Sequence, residues 1–391
     1  MRIHDYGAAQ FYSYLPSKGS ESDQVGYTVP WQTTFPNVGY SAIKWLTVDM
    51  YGDGRSEIVQ LWNNRSSLAI TVFPQGKEYG SYYVGNTSRY SNIPVSDAEW
   101  LAVDIDGDGK DEIVKLWNIG TDVQQELAMT ILSPNYKDDG PSYNNGVTYK
   151  YEDTGVGALK WLVVDMMGNG KHQLAQIWNS NGKLAITIFL PIEVNGNPCY
   201  SRGHTTVYEY TGVGSIDWLV VDMNGDNKEH IVQVWKEGYQ TMTTVFFPTV
   251  DMNGNLVYAR SYLSKPTYFQ SEPVAWLVVD IKDDGRNQIV AVWRSSFGDL
   301  RMNVFWPSTN GQPVYLPNQS SGPLGTRTDA FAWLVVDKAQ IIQINNSTPQ
   351  TLQMSLYSPN DQGTYVVSGR NLSMGLIGGR DTWLVTPLIL D

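Results

Sequence analysis

One phrase recurs seven times along the chain: Trp-Leu, two or three strand-forming residues, usually an Asp, a Gly/Asp-rich turn, then an apolar run ending in Trp. Its copies begin at Trp45, Trp100, Trp161, Trp218, Trp276, Trp333 and Trp383, spaced 55, 61, 57, 58, 57 and 50 residues apart. Units of this length with strand rather than helix patterning stack as a radial array of small sheets. A length of 391 residues alone argues for two or three domains. The units, however, follow one another without a linker, so one all-β domain over 1–391 is expected.

Within the first copy, Trp45-Leu-Thr-Val-Asp49 reads as a strand and Tyr51-Gly-Asp-Gly54 as a turn of residues tolerant of positive φ. Glu57–Trp62 and Leu68–Phe73 read as second and third strands, the latter halted by Pro74, and Tyr79–Val84 as a weaker fourth. Four antiparallel strands in seven units predict a seven-bladed β-propeller, with blades starting near 45, 100, 161, 218, 276 and 333. Gln10–Leu15 has the third-strand pattern without a preceding Trp-Leu, while Trp383-Leu-Val-Thr has a first strand without a third. These halves predict a composite last blade, with residues 383–391 innermost and 1–44 outside, which removes an open sheet edge. Either Leu388-Ile-Leu or Ile3-His-Asp-Tyr suits its second strand.

The turn after the first strand carries the clearest chemistry. In the second copy Asp104, Asp106, Asp108 and Glu112 stand at positions 1, 3, 5 and 9, with Gly at 6 and the Lys110 carbonyl at 7. Such spacing wraps oxygen ligands around a hard cation, and oxygen-only ligation selects Ca²⁺. The first copy keeps Asp49, Asp53 and Glu57 but has Tyr51 at position 3. The fourth keeps Asp222, Asn224 and Asp226 with His230 at position 9 and Glu229 one residue early. The third (Asp165, Met167, Asn169, Gln173) and fifth (Asp280, Lys282, Asp284, Gln288) lose carboxylates, and the sixth, Asp337-Lys-Ala-Gln340, loses five residues. These three are expected to be turns without an ion.

Asp-x-Asp-Gly-Asp-Gly-x-x-Glu between two strands resembles the FG-GAP/VCBS-type calcium-binding repeats, over about six units. The Phe-Gly…Gly-Ala-Pro signature is missing, and Trp-Leu replaces the usual lead-in. The resemblance implies structural calcium bracing a hairpin, with partners docking elsewhere. Its members include integrin α-subunit heads, lectin-like propellers and propeller parts of bacterial toxin complexes, so it selects no single function.

Seven Trp open the first strands and are expected to pack between blades. Trp62, Trp117, Trp178, Trp235 and Trp293 close the second strands. Asn63, Asn118 and Asn179 follow the first three of these. An indole beside amides offers a sugar an apolar face and hydroxyl partners, although a Trp repeated in every unit more usually means core packing. Trp31 and Trp306 fall outside the repeat.

A net charge of −12 with no basic run excludes nucleic acid or an anionic membrane as the main partner. One cysteine, Cys199, excludes an intrachain disulfide framework, and no stretch suits membrane insertion. The N-terminus lacks the apolar core of a Sec signal, so a soluble protein is expected, leaving a non-classical route for any export. No hydrolase elbow, zinc motif or phosphate loop appears, and the four His do not cluster, so no enzymatic activity is expected. The leading expectation is a lectin-like propeller with several similar sites for glycans or a glycosylated protein surface. The alternative is a receptor-binding or protein-interaction module of a bacterial toxin or surface complex.

Overall fold

A computed structural model describes residues 2–383 except 6–7, 19–24, 37–41, 66, 77–80, 96–97, 122–123, 138–139, 153, 155–156, 210, 212, 239, 265, 309–312, 325–329, 337–338, 349–350, 368–371 and 376–379; for 2–34, 36, 120–121, 124–125, 137, 262–263, 318–319, 330–332, 336, 344–348, 351–354 and 372–383 it describes the backbone only. Residues 384–391, most of the predicted innermost segment of the last blade, therefore lie outside the described residues. So do Asp337 in the shortened sixth loop, Tyr210, and the side chains of Trp31 and Trp383.

Every named element is a strand, and the strands form seven antiparallel sheets of four or five strands plus one two-stranded hairpin. The sheet of the first copy runs Ala42–Val48, Glu57–Asn64, Ser67–Phe73, Thr87–Pro94, in that order from one edge to the other. The next five copies repeat this order. In the seventh sheet Arg380–Trp383 pairs antiparallel with Arg2–Asp5, followed by Ala8–Lys18 and Val25–Pro36. The second strand is thus Arg2–Asp5, and one sheet is shared by segments from both ends of the sequence.

The first strands of successive copies lie beside one another in chain order, from Ala42–Val48 through Ala98–Val103, Ala158–Val164, Asp217–Asp222 and Ala275–Val279 to Ala330–Val336. Cores form between sheets. Leu46, Val59 and Ile70 of the first sheet pack with Trp100, Ile113 and Leu132 of the second, and the same relation recurs up to the fifth and sixth. Phe35 of the seventh sheet meets Phe73 of the first, ring centroids 5.1 Å apart. Packing on both faces explains why the second strands do not alternate buried and exposed residues, as in Glu57–Leu61, where all five are buried.

The fourth strand of the first sheet is Thr87–Pro94, within what the sequence suggests is a variable loop. Tyr82, in the predicted Tyr79–Val84 strand, instead makes an isolated bridge to Gln75. The second copy shows the same plan: a hairpin of Pro134–Lys137 and Gly140–Tyr143 precedes the outer strand Val147–Tyr151. The chain leaves the third strand, turns in a hairpin and only then returns as the outer strand. Register shifts at Thr187/Phe189, Thr244/Phe246 and Asn303/Phe305 mark where other copies bend into that excursion.

Candidate functional site

The acidic loops are built first by hydrogen bonds from their own backbone. The position-1 Asp accepts from at least two amides in each case: Asp104 from Gly107 and Gly109 (2.8 and 2.9 Å), Asp165 from Met167, Gly168 and Gly170, Asp222 from Asn224, Gly225 and Asn227, Asp280 from Asp284 and Gly285. Asp49 does the same with Gly52 and Gly54. This carboxylate is kept in all five loops because it folds the turn, with or without an ion.

Position 8 joins each loop to the preceding sheet. Asp49 N–H donates to Asp111 Oδ2 (2.8 Å) while Asp111 N–H donates to the Asp49 carbonyl. Asp104 pairs in this way with His172, Asp165 with Glu229 and Asp222 with Asn287. Glu229, which looks like a displaced ligand in the sequence, is one of these clasps. Tyr143, Tyr200, Tyr258, Tyr315 and Tyr365 each donate a hydroxyl to the position-8 carbonyl of their own copy, for the last of these Ala339. The tyrosines are therefore structural donors as well as packing groups.

Position 9 points inward. Glu57 and Glu112 are buried, and each accepts the position-2 amide: Met50 N–H at 3.0 Å and Ile105 N–H at 3.2 Å. Gln173 and Gln288 accept the equivalent amides through Oε1 and also donate Nε2–H to the position-7 carbonyls of Lys171 and Arg286 (2.5 and 2.6 Å). His230 Nδ1 lies 3.1 Å from the Lys228 carbonyl, so its ring N–H serves that same oxygen. An ionised Glu has no proton to give there. Burial, reinforced by the loop aspartates, pushes Glu57 up to about 7 and Glu112 up to about 8.

Asp104, Asp106 and Asp108 bring carboxylate oxygens within 4.8 Å of one another, and no other such group of three appears among the described residues. This hard-oxygen set fits a divalent cation such as Ca²⁺. Glu112 lies outside the group. Lys110 Nζ bonds Asp108; burial raises the Asp108 carboxyl, but that contact outweighs it and holds the group below its ordinary range. In the first loop Tyr51 stands at position 3 and stacks on Tyr136, 5.2 Å between centroids. Asp53 and Asp226 each accept the position-7 amide, from Arg55 and Lys228. Asn224 and Asp226 also line a cleft.

The closing tryptophans sit at the opposite end of the same strands from the loops. Trp62, Trp117, Trp178 and Trp235 are half-buried, while Trp293 is 7% exposed. Their indole N–H groups are engaged: Trp62 with Thr71, Trp117 with Thr130, Trp178 with Thr187, Trp235 with Thr244 and Trp293 with Asn303 Oδ1, at 2.7–3.1 Å. Asn63, Asn118 and Asn179 are exposed beside them. Lys115 replaces the Gln60, Gln176 and Gln233 of other copies, fully buried, with Nζ 4.3 Å from the Trp117 ring centroid. Burial lowers it to about 8, and it donates to the Pro94 carbonyl. One amide-to-cation change in a register line was the only sequence trace of this contact.

Sequence reasoning missed a second kind of cavity. Three clefts occupy equivalent junctions, between a loop and the next sheet. One lies between Asp106 and the Pro191–Pro198 hairpin (190 Å³), one between Asn224 and Pro313 (310 Å³), and one between Lys282 and the Pro359–Gly363 hairpin (530 Å³). Position 3 lines each of them. At the first junction the Tyr51–Tyr136 stack stands in that place.

No family model matches the chain, the FG-GAP/VCBS repeats included, and no curated protein matches it. Among solved structures, the chain is similar to a Lactobacillus plantarum protein (11% identity, 96% of this chain and 99% of that one, TM-score 0.43). It is also similar to the BP39L lectin from Burkholderia pseudomallei (10% identity, 96% and 98%, TM-score 0.44). A TcdB2-TccC3 structure aligns at 13% identity over 91% of this chain and 21% of that one, TM-score 0.24. None reaches a TM-score of 0.5, so the functional reading rests on the chain's own geometry.

Proposed function

We propose that the chain is a seven-bladed propeller that binds carbohydrate at several similar sites. The reading is supported by six neighbouring junctions in chain order and by the sheet shared between both ends of the sequence. On this reading a further junction, between the sixth and seventh sheets, would close the ring. The observation that carries the functional part is the repeated presentation of a half-exposed indole at the end of four second strands. Because each N–H is already tied to Thr, the rest of the ring is an apolar stacking face, and exposed Asn63, Asn118 and Asn179 supply amides for sugar hydroxyls. Trp117 is the exception among them, since Lys115 covers one of its faces. Weak equivalent sites gain by multivalency on a branched or clustered glycan.

Calcium belongs to the same proposal, held by Asp104, Asp106 and Asp108 as a brace for the second loop. Bound there, it would supply a divalent charge that offsets the mutual repulsion of these carboxylates.

A glycan array probed with calcium present tests the carbohydrate reading. Binding that falls at least several-fold in Trp62→Ala and Trp178→Ala, with unchanged melting temperature, is expected. A blank array overturns it in favour of a protein-docking module, for which Phe297, 87% exposed at a hairpin tip near the same strand ends, is the natural anchor.

A further inference from the structure

Two departures from the repeat meet in one cleft. Trp306 is outside the repeated tryptophans; the equivalent place, one residue before the strand-ending Pro, holds Leu190 and Phe247 in the two preceding copies. Lys282 stands at position 3 of its loop, where the second copy has Asp106 and the fourth Asn224. In the fold, Lys282 Nζ lies 4.8 Å over the Trp306 ring. Both line the 530 Å³ cleft closed by Pro359, Asn360, Gln362 and Gly363, with the exposed carboxylate Asp361 also in its lining. This volume falls in the ordinary range for a small-ligand site, roughly 300–1,000 Å³.

The cleft is built, not incidental. Gly363 has φ +70, and a Cβ there would sit 2.6 Å from the Trp306 ring, so the hairpin backbone clamps the indole edge. Asn360 Oδ1 ties the hairpin by accepting from the Gln362 and Thr364 amides. Among the described residues Lys282 makes no ion pair, although its loop carries Asp280, Asp283 and Asp284; Arg286 takes Asp284 instead. Trp306 Nε1, unlike that of every second-strand Trp, has no hydrogen-bond partner.

We infer that this cleft binds an acidic sugar, a pyranose bearing a carboxylate, at the loop end of the strands. The inference rests on the carbohydrate reading but concerns a separate site. The sugar's C–H face stacks on Trp306 and the Pro359 ring, its carboxylate meets the Lys282 ammonium, and Gln362, at the mouth, offers amide groups to the hydroxyls. The Lys282–indole contact holds the ammonium in place over the ring, so little side-chain freedom is lost on binding. The neighbouring junctions have Asp106 and Asn224 in the Lys282 position; their clefts are lined by Lys171 and Lys228, but neither has an indole for a sugar to stack on, so they are not expected to take the same ligand.

The test is titration of the intact chain with glucuronate, glucose and acetate by isothermal calorimetry or ligand-observed NMR. Glucuronate is expected to bind, and acetate and glucose each at least ten-fold more weakly. Lys282→Gln should weaken glucuronate about 10- to 100-fold, as loss of a charge-assisted bond does. Trp306→Phe should weaken it less while leaving the melting temperature within a degree or two. Glucuronate binding that survives Lys282→Gln, or is matched by glucose, overturns the inference, and acetate binding as tightly shows an anion site without sugar recognition. Neutral sugars lost in Trp62→Ala with no glucuronate binding would sink this site alone. No sugar binding of any kind sinks the carbohydrate reading with it.

Discussion

Changing Glu112 to Gln tests the architecture of the acidic loop directly. Glu112 is 5% exposed and its carboxyl sits near 8 against an ordinary 4.5. At pH 7 the folded chain therefore carries a cost of about 3 kcal/mol for this group, at ~1.36 kcal/mol per pH unit. Gln removes that cost, and Gln173 and Gln288 show its geometry: Oε1 keeps the position-2 amide while Nε2 reaches the position-7 carbonyl. With its carboxyl near 8 Glu112 is mostly protonated at this pH, so its bond to Ile105 N–H is already neutral, and the exchange for Gln leaves a net stabilisation of about 1–3 kcal/mol in the absence of metal. In a chain this long that corresponds to a rise of roughly 1–4 °C. The assay is thermal unfolding by circular dichroism with chelator at pH 7.5, repeated with millimolar calcium. The parent protein should gain stability from calcium by mass action. The variant, already closed by its amide, should start higher and gain less. A variant that melts below its parent in chelator refutes the equivalence of Glu and Gln at this position.

Gly168→Ala places a Cβ 2.8 Å from the Asp226 carbonyl at φ +70, so it should cost about 2–4 kcal/mol. Gly182→Ala, at φ +84 with nothing within 4 Å, should cost only about 1 kcal/mol, and equal losses in chemical denaturation would disprove the loop-to-loop contact. Burial raises Asp111 to about 6, Glu57 and Glu229 to about 7 and Glu112 to about 8. Folded pKa values above unfolded ones mean that the folded chain holds extra protons. This contribution to stability is complete below about pH 4.5 and lost as pH climbs toward 8. Melting temperature in chelator should fall across that window, and a rise through it would contradict the assignment of these carboxyls as buried.

The repeat was legible because a phrase of strand formers and turn formers recurring every 50–61 residues leaves few folds that bury every copy. The position-1 Asp and the position-6 Gly were legible too, since their spacing is local. The outer strand of the first sheet was not: Thr87–Pro94 is polar and half-exposed, and only pairing with Ser67–Phe73 makes it a strand. The role of Glu229 was equally hidden, because its partner, Asp165 N–H, lies 64 residues away.

The sequence by itself determined the all-β character, the number of repeated units and the turn chemistry, all of which depend on neighbours a few residues apart. Tertiary structure alone decided how position 8 clasps the preceding sheet and how position 9 serves an amide and a carbonyl. It also decided that Lys282 and Trp306 share one cleft. Those pairings are set by how adjacent sheets pack, and a residue pattern read along one strand carries no record of which side chain the next sheet brings against it.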